Sequence, residues 1–154
     1  MTGDDFADRL EATKAASAIQ LLFKAARLLN DRAIARVRER TRRPVRVTHT
    51  ALLPHIDLEG TRLTDLARRM GVTKQATLQL VDELVELGML ERVPDPSDAR
   101  AKLVRFSKRG RQGLFEGLSI LRELEDEIRG HVGEAKMKAF HEVLAVVVAT
   151  EAST

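Results

Sequence analysis

Apolar residues along the first forty positions fall at helical intervals. Ile19, Leu22, Phe23, Ala26, Leu29, Ala33 and Val37 recur three or four residues apart, apart from one adjacent pair, so they share one face of a helix. The pattern predicts one long helix from about Asp4 to Arg40, closed before Pro44 because proline lacks an amide donor and disfavours helix in the residue before it. A second helix is predicted after Thr48, as N-cap, running towards Asp57–Gly60 with a kink at Pro54. Beyond residue 110 two more stripes appear, Leu114, Leu118, Leu121 and Ile128, then Met137, Phe140, Leu144 and Val147, separated by Gly130 and Gly133. A small central domain cannot bury both stripes, so a second copy of the chain is the expected cover, with an intramolecular bundle as the alternative.

Between 61 and 110 the spacing becomes more specific. In RLTDLARRMGVTKQATLQLVDELVELG, Ala67 is small enough for two helices to approach closely, and Gly71 suits a tight turn. Thr73 caps the next helix, whose Leu80, Leu84 and Leu87 face inward until Gly88 ends it. The outward face near its N-terminus carries Lys74, Gln75, Thr77 and Gln79, side chains that with Thr73 can meet phosphates and base edges. MLERV, PDPSDARA and KLVRFS then read as strand, turn and strand. Arg100 lies in the turn, and Lys102 and Arg105 on the returning strand, suited to a narrow anionic groove. Asp98, two residues before Arg100, is expected to brace an arginine or cap the turn. Helix, tight turn, helix and ribbon together make a winged helix-turn-helix.

Composition narrows the chemistry. The 154 residues contain no cysteine, which excludes disulfides, thiolate zinc sites and thiol redox sensing. The five aromatic residues are all Phe, too few for a stacking surface on single strands. The longest apolar run, 143–149, is too short to span a bilayer, and the acidic start MTGDDFADRLEATK lacks the apolar region of a secretory signal, so the expected compartment is the cytoplasm. The net charge of +3 is unevenly spread: 36–46 holds six Arg and one Glu, 61–113 is net basic, and 114–154 is net acidic. A polyanion would therefore meet the middle of the chain. The arginines of 36–46 are expected to pair with the acidic C-terminal helices and to cover apolar surface with their stems, rather than to grip phosphate or a ligand carboxylate. His49 and His55 lie six apart, a poor spacing for shared metal ligation, and no cofactor is implied. No phosphate-binding glycine loop and no catalytic triad are present, so a non-enzyme is expected.

The run LTDLARRMGVTKQATLQLVDELVELGMLERVPDPSDARAKLVRFSKRG resembles the MarR family of winged-helix transcriptional regulators, most specifically in the Asp-x-Arg of the wing, the AKLV after it and the Ser-x-x-Gly that opens the next helix. The resemblance implies a mainly α fold with a small β-wing. It divides the chain into an N-terminal dimerisation helix (1–46), a DNA-binding winged helix (47–110) and C-terminal dimerisation helices (111–154). It also implies a homodimer on a palindromic double-stranded operator, acting as a repressor and released by a small-molecule effector. Carried over by position, it places Lys74, Gln75, Thr77 and Gln79 at the major groove and Arg100 in the minor groove. Thr77, however, stands where a helix-packing apolar residue is more usual. Phe23 and Phe115 lie on apolar stripes and are expected in the core; in a MarR-like fold the same stripes, with His49 and His55, would wall an effector pocket. The recognition helix contains no arginine, which favours Gln reading adenine over Arg reading guanine. Two other readings fit these residues: a winged helix that binds protein without DNA, and a small-molecule-binding protein with incidental DNA affinity.

Overall fold

The computed structural model describes residues 3–152. The expected N-terminal helix is two helices, α1 (Gly3–Ala16) and α2 (Ala18–Thr41). The break is at Ser17, whose extended backbone turns its hydroxyl back to accept from the Gln20 N–H at 3.3 Å, a local bond that competes with helix continuation. Arg42 ends α2 in the left-handed region (φ 56°), and Pro44 follows.

The next helix, α3 (Val47–Leu52), is shorter than expected and starts two residues earlier. Arg46, not Thr48, is its N-cap, and the His49 ring takes the Arg46 backbone N–H (3.2 Å). Pro54 does not kink a longer helix. The chain tightens into a 3₁₀ turn, Leu53–His55, and leaves the helical path before Asp57.

A strand that periodicity did not reveal follows, β1 (Thr61–Arg62), two residues long and therefore too short for any alternation to register. Helix α4 (Leu63–Met70) ends in a Schellman turn at Gly71 (φ 67°), with the Val72 N–H bonded to the Ala67 carbonyl. Helix α5 (Lys74–Glu86) starts at Thr73, whose hydroxyl accepts from the Ala76 N–H at 3.1 Å. Strands β2 (Leu90–Asp95) and β3 (Asp98–Phe106) pair antiparallel, and β3 also pairs with β1, giving the order β1-β3-β2. The ribbon is longer and its turn tighter than PDPSDARA suggested, because Asp95 closes a two-residue turn at Pro96 and Ser97. Helices α6 (Lys108–Val132) and α7 (Glu134–Glu151) complete the chain, broken only at Gly133, with Gly130 inside α6.

The main core lies under the winged helix: Leu52, Leu66, Val81, Leu84, Leu90, Val104 and Phe106 pack together. A smaller cluster of Ala33, Ile120 and Leu124 joins α2 to α6. That joint is edged by ion pairs of the expected kind, with Arg32 and Arg36 on Glu127 and Arg36 and Arg40 on Glu123. Phe23 and Phe115, expected in the core, are 63% and 75% exposed in the single chain. With Ile19, Leu118, Val143 and Val146 they belong to apolar helix faces that no part of the described chain covers. Among the described residues no helix is long and apolar enough to cross a membrane, and no group of side chains is arranged to hold a metal ion.

Candidate nucleic-acid interface

Helix α5 turns its polar face outward because Thr77, Val81 and Leu84 occupy the buried one. Lys74, Gln75 and Gln79 are exposed along that face. Thr77 is not with them. It is 0% exposed, and its hydroxyl donates to the Thr73 carbonyl at 3.0 Å, the way a buried hydroxyl one turn along a helix satisfies itself. Its expected place at the major groove is therefore corrected to a packing position. Thr73 spends its own hydroxyl as the helix cap.

The wing stands beside this face and is braced from within. Asp95 is 6% exposed, and its carboxylate accepts from the Ser97 N–H (2.8 Å), the Ser97 hydroxyl (2.7 Å) and the Arg62 Nε (2.6 Å). The two Ser97 bonds, followed by the Arg62 guanidinium, pull its pKa down to about 2. Asp98 caps the ribbon by accepting the Arg100 backbone N–H at 3.0 Å, as expected, and stands 3.9 Å from Arg62. The principal brace is nonetheless Asp95, not Asp98. The Asp-x-Ser spacing of an Asx-type turn was the sequence signal for it, but the Arg62 partner lies 33 residues away.

Capping by Asp98 leaves the Arg100 side chain exposed near the end of the ribbon, on β3 and not in the turn where it was expected. Between the wing and the two helices runs a groove of about 370 Å³ bordered by Arg62, Thr64, Lys74, Arg92 and Lys102. Arg92 pairs with Asp82 of α5 and Arg62 with Asp95, whereas Lys74, Lys102 and Arg100 enter no ion pair among the described residues. Arg105 is not brought to this groove. It lies opposite Glu91 on the neighbouring strand and is bound to it at 2.7 Å, so the ladder itself commits its charge.

The four residues expected to wall an effector pocket are not brought together. A cavity of about 240 Å³ does lie between α2, the 43–50 segment and α6, but its walls include Asn30, Ile34, Val37, Arg43, Val45 and Leu118. Phe23 and Phe115 project from exposed helix faces, and the His55 carbonyl accepts from Arg69. His49 is 2% exposed and fully engaged between α3 and α5. Its Nδ1 accepts from the Arg46 N–H, so its Nε2 carries the proton and donates to Glu83 at 2.7 Å. Burial, then the positive charges of Arg46 and Arg38, hold its pKa below the ordinary histidine value. Sequence reasoning missed Arg43, whose Nη1 lies 3.3 Å from the Met89 sulfur and whose buried Nε has no partner.

Residues 45–101 match the model of the MarR family. No match is found among curated protein sequences. The fold is shared with RV1404 from Mycobacterium tuberculosis (TM-score 0.70, 21% identity, covering 88% of this chain and 95% of that one). It is also shared with apo wild-type MarR from E. coli (TM-score 0.66, 18% identity, 86% and 98%). A third similar structure is CouR from Rhodococcus jostii RHA1 bound to p-coumaroyl-CoA (TM-score 0.61, 22% identity, 87% and 93%). The chain thus has the MarR winged-helix fold, and the segment that the motifs singled out is the segment the family model matches.

Proposed function

We propose, from a MarR-type winged helix whose polar recognition face stands beside a braced cationic wing, that this chain is a sequence-specific transcriptional regulator of double-stranded DNA. The observation that carries this reading is the pairing of the exposed Lys74, Gln75 and Gln79 row with an unpaired Arg100 at the wing tip, across a groove rimmed by Lys74 and Lys102. A helix of that character fits the major groove, and an unpaired arginine on a thin ribbon fits the minor groove. The regulator acts as a cytoplasmic homodimer and a repressor on a palindromic operator, without enzymatic activity. Residues 1–46 and 111–154 pair the two copies, and 47–110 reads DNA. Apolar side chains left open on α2, α6 and α7 support the pairing, since a lone soluble chain rarely carries so much uncovered apolar surface. Two recognition helices then address half-sites about 34–36 Å apart.

An effector would enter the cavity beside Arg43. The walls are largely apolar and Arg43 carries an unsatisfied buried N–H, so the fitting ligand is an apolar molecule bearing an anionic group. A coupling of about 1–3 kcal/mol between that cavity and the lobe spacing gives a roughly 5–150-fold change in operator affinity.

Sequencing of genomic fragments retained by the purified chain, followed by mobility shifts against excess nonspecific competitor, tests the reading. A palindromic site bound by a species of twice the chain mass is the expected result. Binding that competitor abolishes, or a solitary chain at working concentration, would refute it.

A further inference from the structure

Glu83 gathers more polar partners than any other carboxylate on α5. Its Oε2 receives the His49 Nε2 at 2.7 Å and the guanidinium of Arg46, the first from α3 and the second from its N-cap. Its Oε1 receives the Gln79 Nε2 at 3.3 Å, from one turn earlier on α5 itself. His49 is buried and Glu83 half-buried, so the carboxylate is anchored on its inner side before Gln79 meets it.

The direction of the last bond follows from chemistry. A carboxylate only accepts, so the Gln79 amide must turn its NH₂ towards Glu83 and its carbonyl oxygen away. A freely rotating glutamine can offer either end to a base. A held one offers an acceptor and one remaining N–H in a fixed sense. Adenine answers that pattern with its N6 donor and N7 acceptor, whereas guanine presents two acceptors, O6 and N7, and would set its O6 against the glutamine oxygen.

We propose that Glu83 is a positioning residue that orients the Gln79 amide and thereby makes the recognition helix prefer adenine to guanine at the base pair Gln79 faces. The proposal rests on the reading that α5 enters the major groove. Glu83 touches no DNA in this scheme; it acts through Gln79, and its own orientation is set by Arg46 and His49. Those two residues sit in the same 43–50 segment that lines the cavity beside α2.

The test is selection from a randomised duplex library by the full-length wild type, Glu83→Gln, Gln79→Ala and the double variant, with thermal unfolding followed in parallel. In Glu83→Gln the new side chain can itself donate, which frees the Gln79 amide to reverse. The preference for adenine over guanine at one pair in each half-site should fall by roughly two- to fivefold, the scale of one charge-assisted side-chain pair on a helix. On the Gln79→Ala background, Glu83→Gln should add nothing at that pair. An equal shift with Gln79 absent, or none in Glu83→Gln, would overturn the proposal. Should Glu83→Gln not fold, Arg46→Ala removes a donor from the same carboxylate from outside α5, and it must show the same relaxed preference or the proposal fails. If the wild type selects a site but Gln79→Ala leaves every position unchanged, the role of Glu83 is refuted while the DNA-binding reading stands. If the wild type selects no site, that reading falls first and takes this one with it.

Discussion

Gly110 lies directly against the backbone of Met89: a Cβ at residue 110 would overlap the Met89 carbonyl oxygen and stand 2.8 Å from its carbonyl carbon. The contact locks α6 to the segment that follows α5. Ser107 completes the lock, with its N–H on the Met89 carbonyl (3.1 Å), its hydroxyl donating to the Gly88 carbonyl (2.6 Å), and the same oxygen accepting from the Gly110 N–H (2.9 Å). The Ser-x-x-Gly motif is thus a cap and a close approach in one, and it ties the C-terminal helices to the winged-helix lobe.

Gly110→Ala is therefore expected to destabilise the protein. Alanine gains about 1 kcal/mol of helix propensity over glycine, but forcing a methyl against backbone costs about 3 kcal/mol, so the net loss is about 2 kcal/mol. Urea unfolding checks this, with Gly130→Ala as comparison: Gly130 also lies inside α6, and a Cβ there meets nothing within 4 Å. Gly130→Ala should be neutral or stabilising. Equal midpoints for the two variants would contradict the packing described.

The wing brace predicts a pH dependence at the acid end. The pKa of Asp95 is depressed to about 2, so its contribution is present above the ordinary carboxylate value and lost as pH falls from there through about 2. Protection of the amides at 95 and 97–100, taken relative to intrinsic exchange at each pH, should hold from neutral pH downward and be lost only in that acid window. Asp95→Asn removes the charge that holds Arg62 and should quicken exchange there at neutral pH. Identical exchange in the variant and the wild type would show that the brace does not order the wing.

A second pH dependence comes from His49. Its pKa is depressed, which for a histidine means the folded state prefers the neutral ring. The unfolded chain therefore binds the extra proton first. Stability is full above the ordinary histidine pKa of about 6.5 and declines as pH falls below it. His49→Gln can keep an acceptor for Arg46 and a donor for Glu83 without titrating. Melting temperatures measured from pH 7.5 downward should fall more steeply for the wild type than for His49→Gln; parallel curves would exclude His49 as the source.

At the proposed DNA face, Arg100→Ala and Gln75→Ala should fail differently. Loss of one cation held against the phosphates or in the minor groove lowers the slope of log affinity against log salt by about 0.9, which is expected for Arg100. Loss of a base reader relaxes one position by about 1–3 kcal/mol, which is expected for Gln75. Salt titrations on operator and random duplex distinguish the two. An Arg100→Ala titration that overlays the wild type would remove the wing from the interface.

What could be read from the residues alone was whatever neighbours in sequence decide. Gly71 and Thr73 stop one helix and start the next, Gly88 ends it, and Ser107 opens α6, because turn conformation and capping depend on residues two to four apart. The charge pattern likewise anticipated that arginines of α2 would meet acids of α6, since complementary faces on packed helices find each other.

Tertiary packing decided the rest. Helical period cannot tell an outward threonine from an inward one when the inward stripe tolerates a self-bonded hydroxyl, and Thr77 went inside. The partners of Asp95, Glu83 and Arg43 come from distant segments: Arg62 for the first, Arg46 and His49 for the second, Met89 for the third. Such pairings arise only when the sheet, the recognition helix and the α2–α3 junction are brought together, because a hydrogen bond needs its two groups within about 3 Å and spacing along a chain does not set distance in space. The sequence therefore carried the helix-turn-helix and its ribbon, and the folded chain chose which polar residues remain outside to meet a partner.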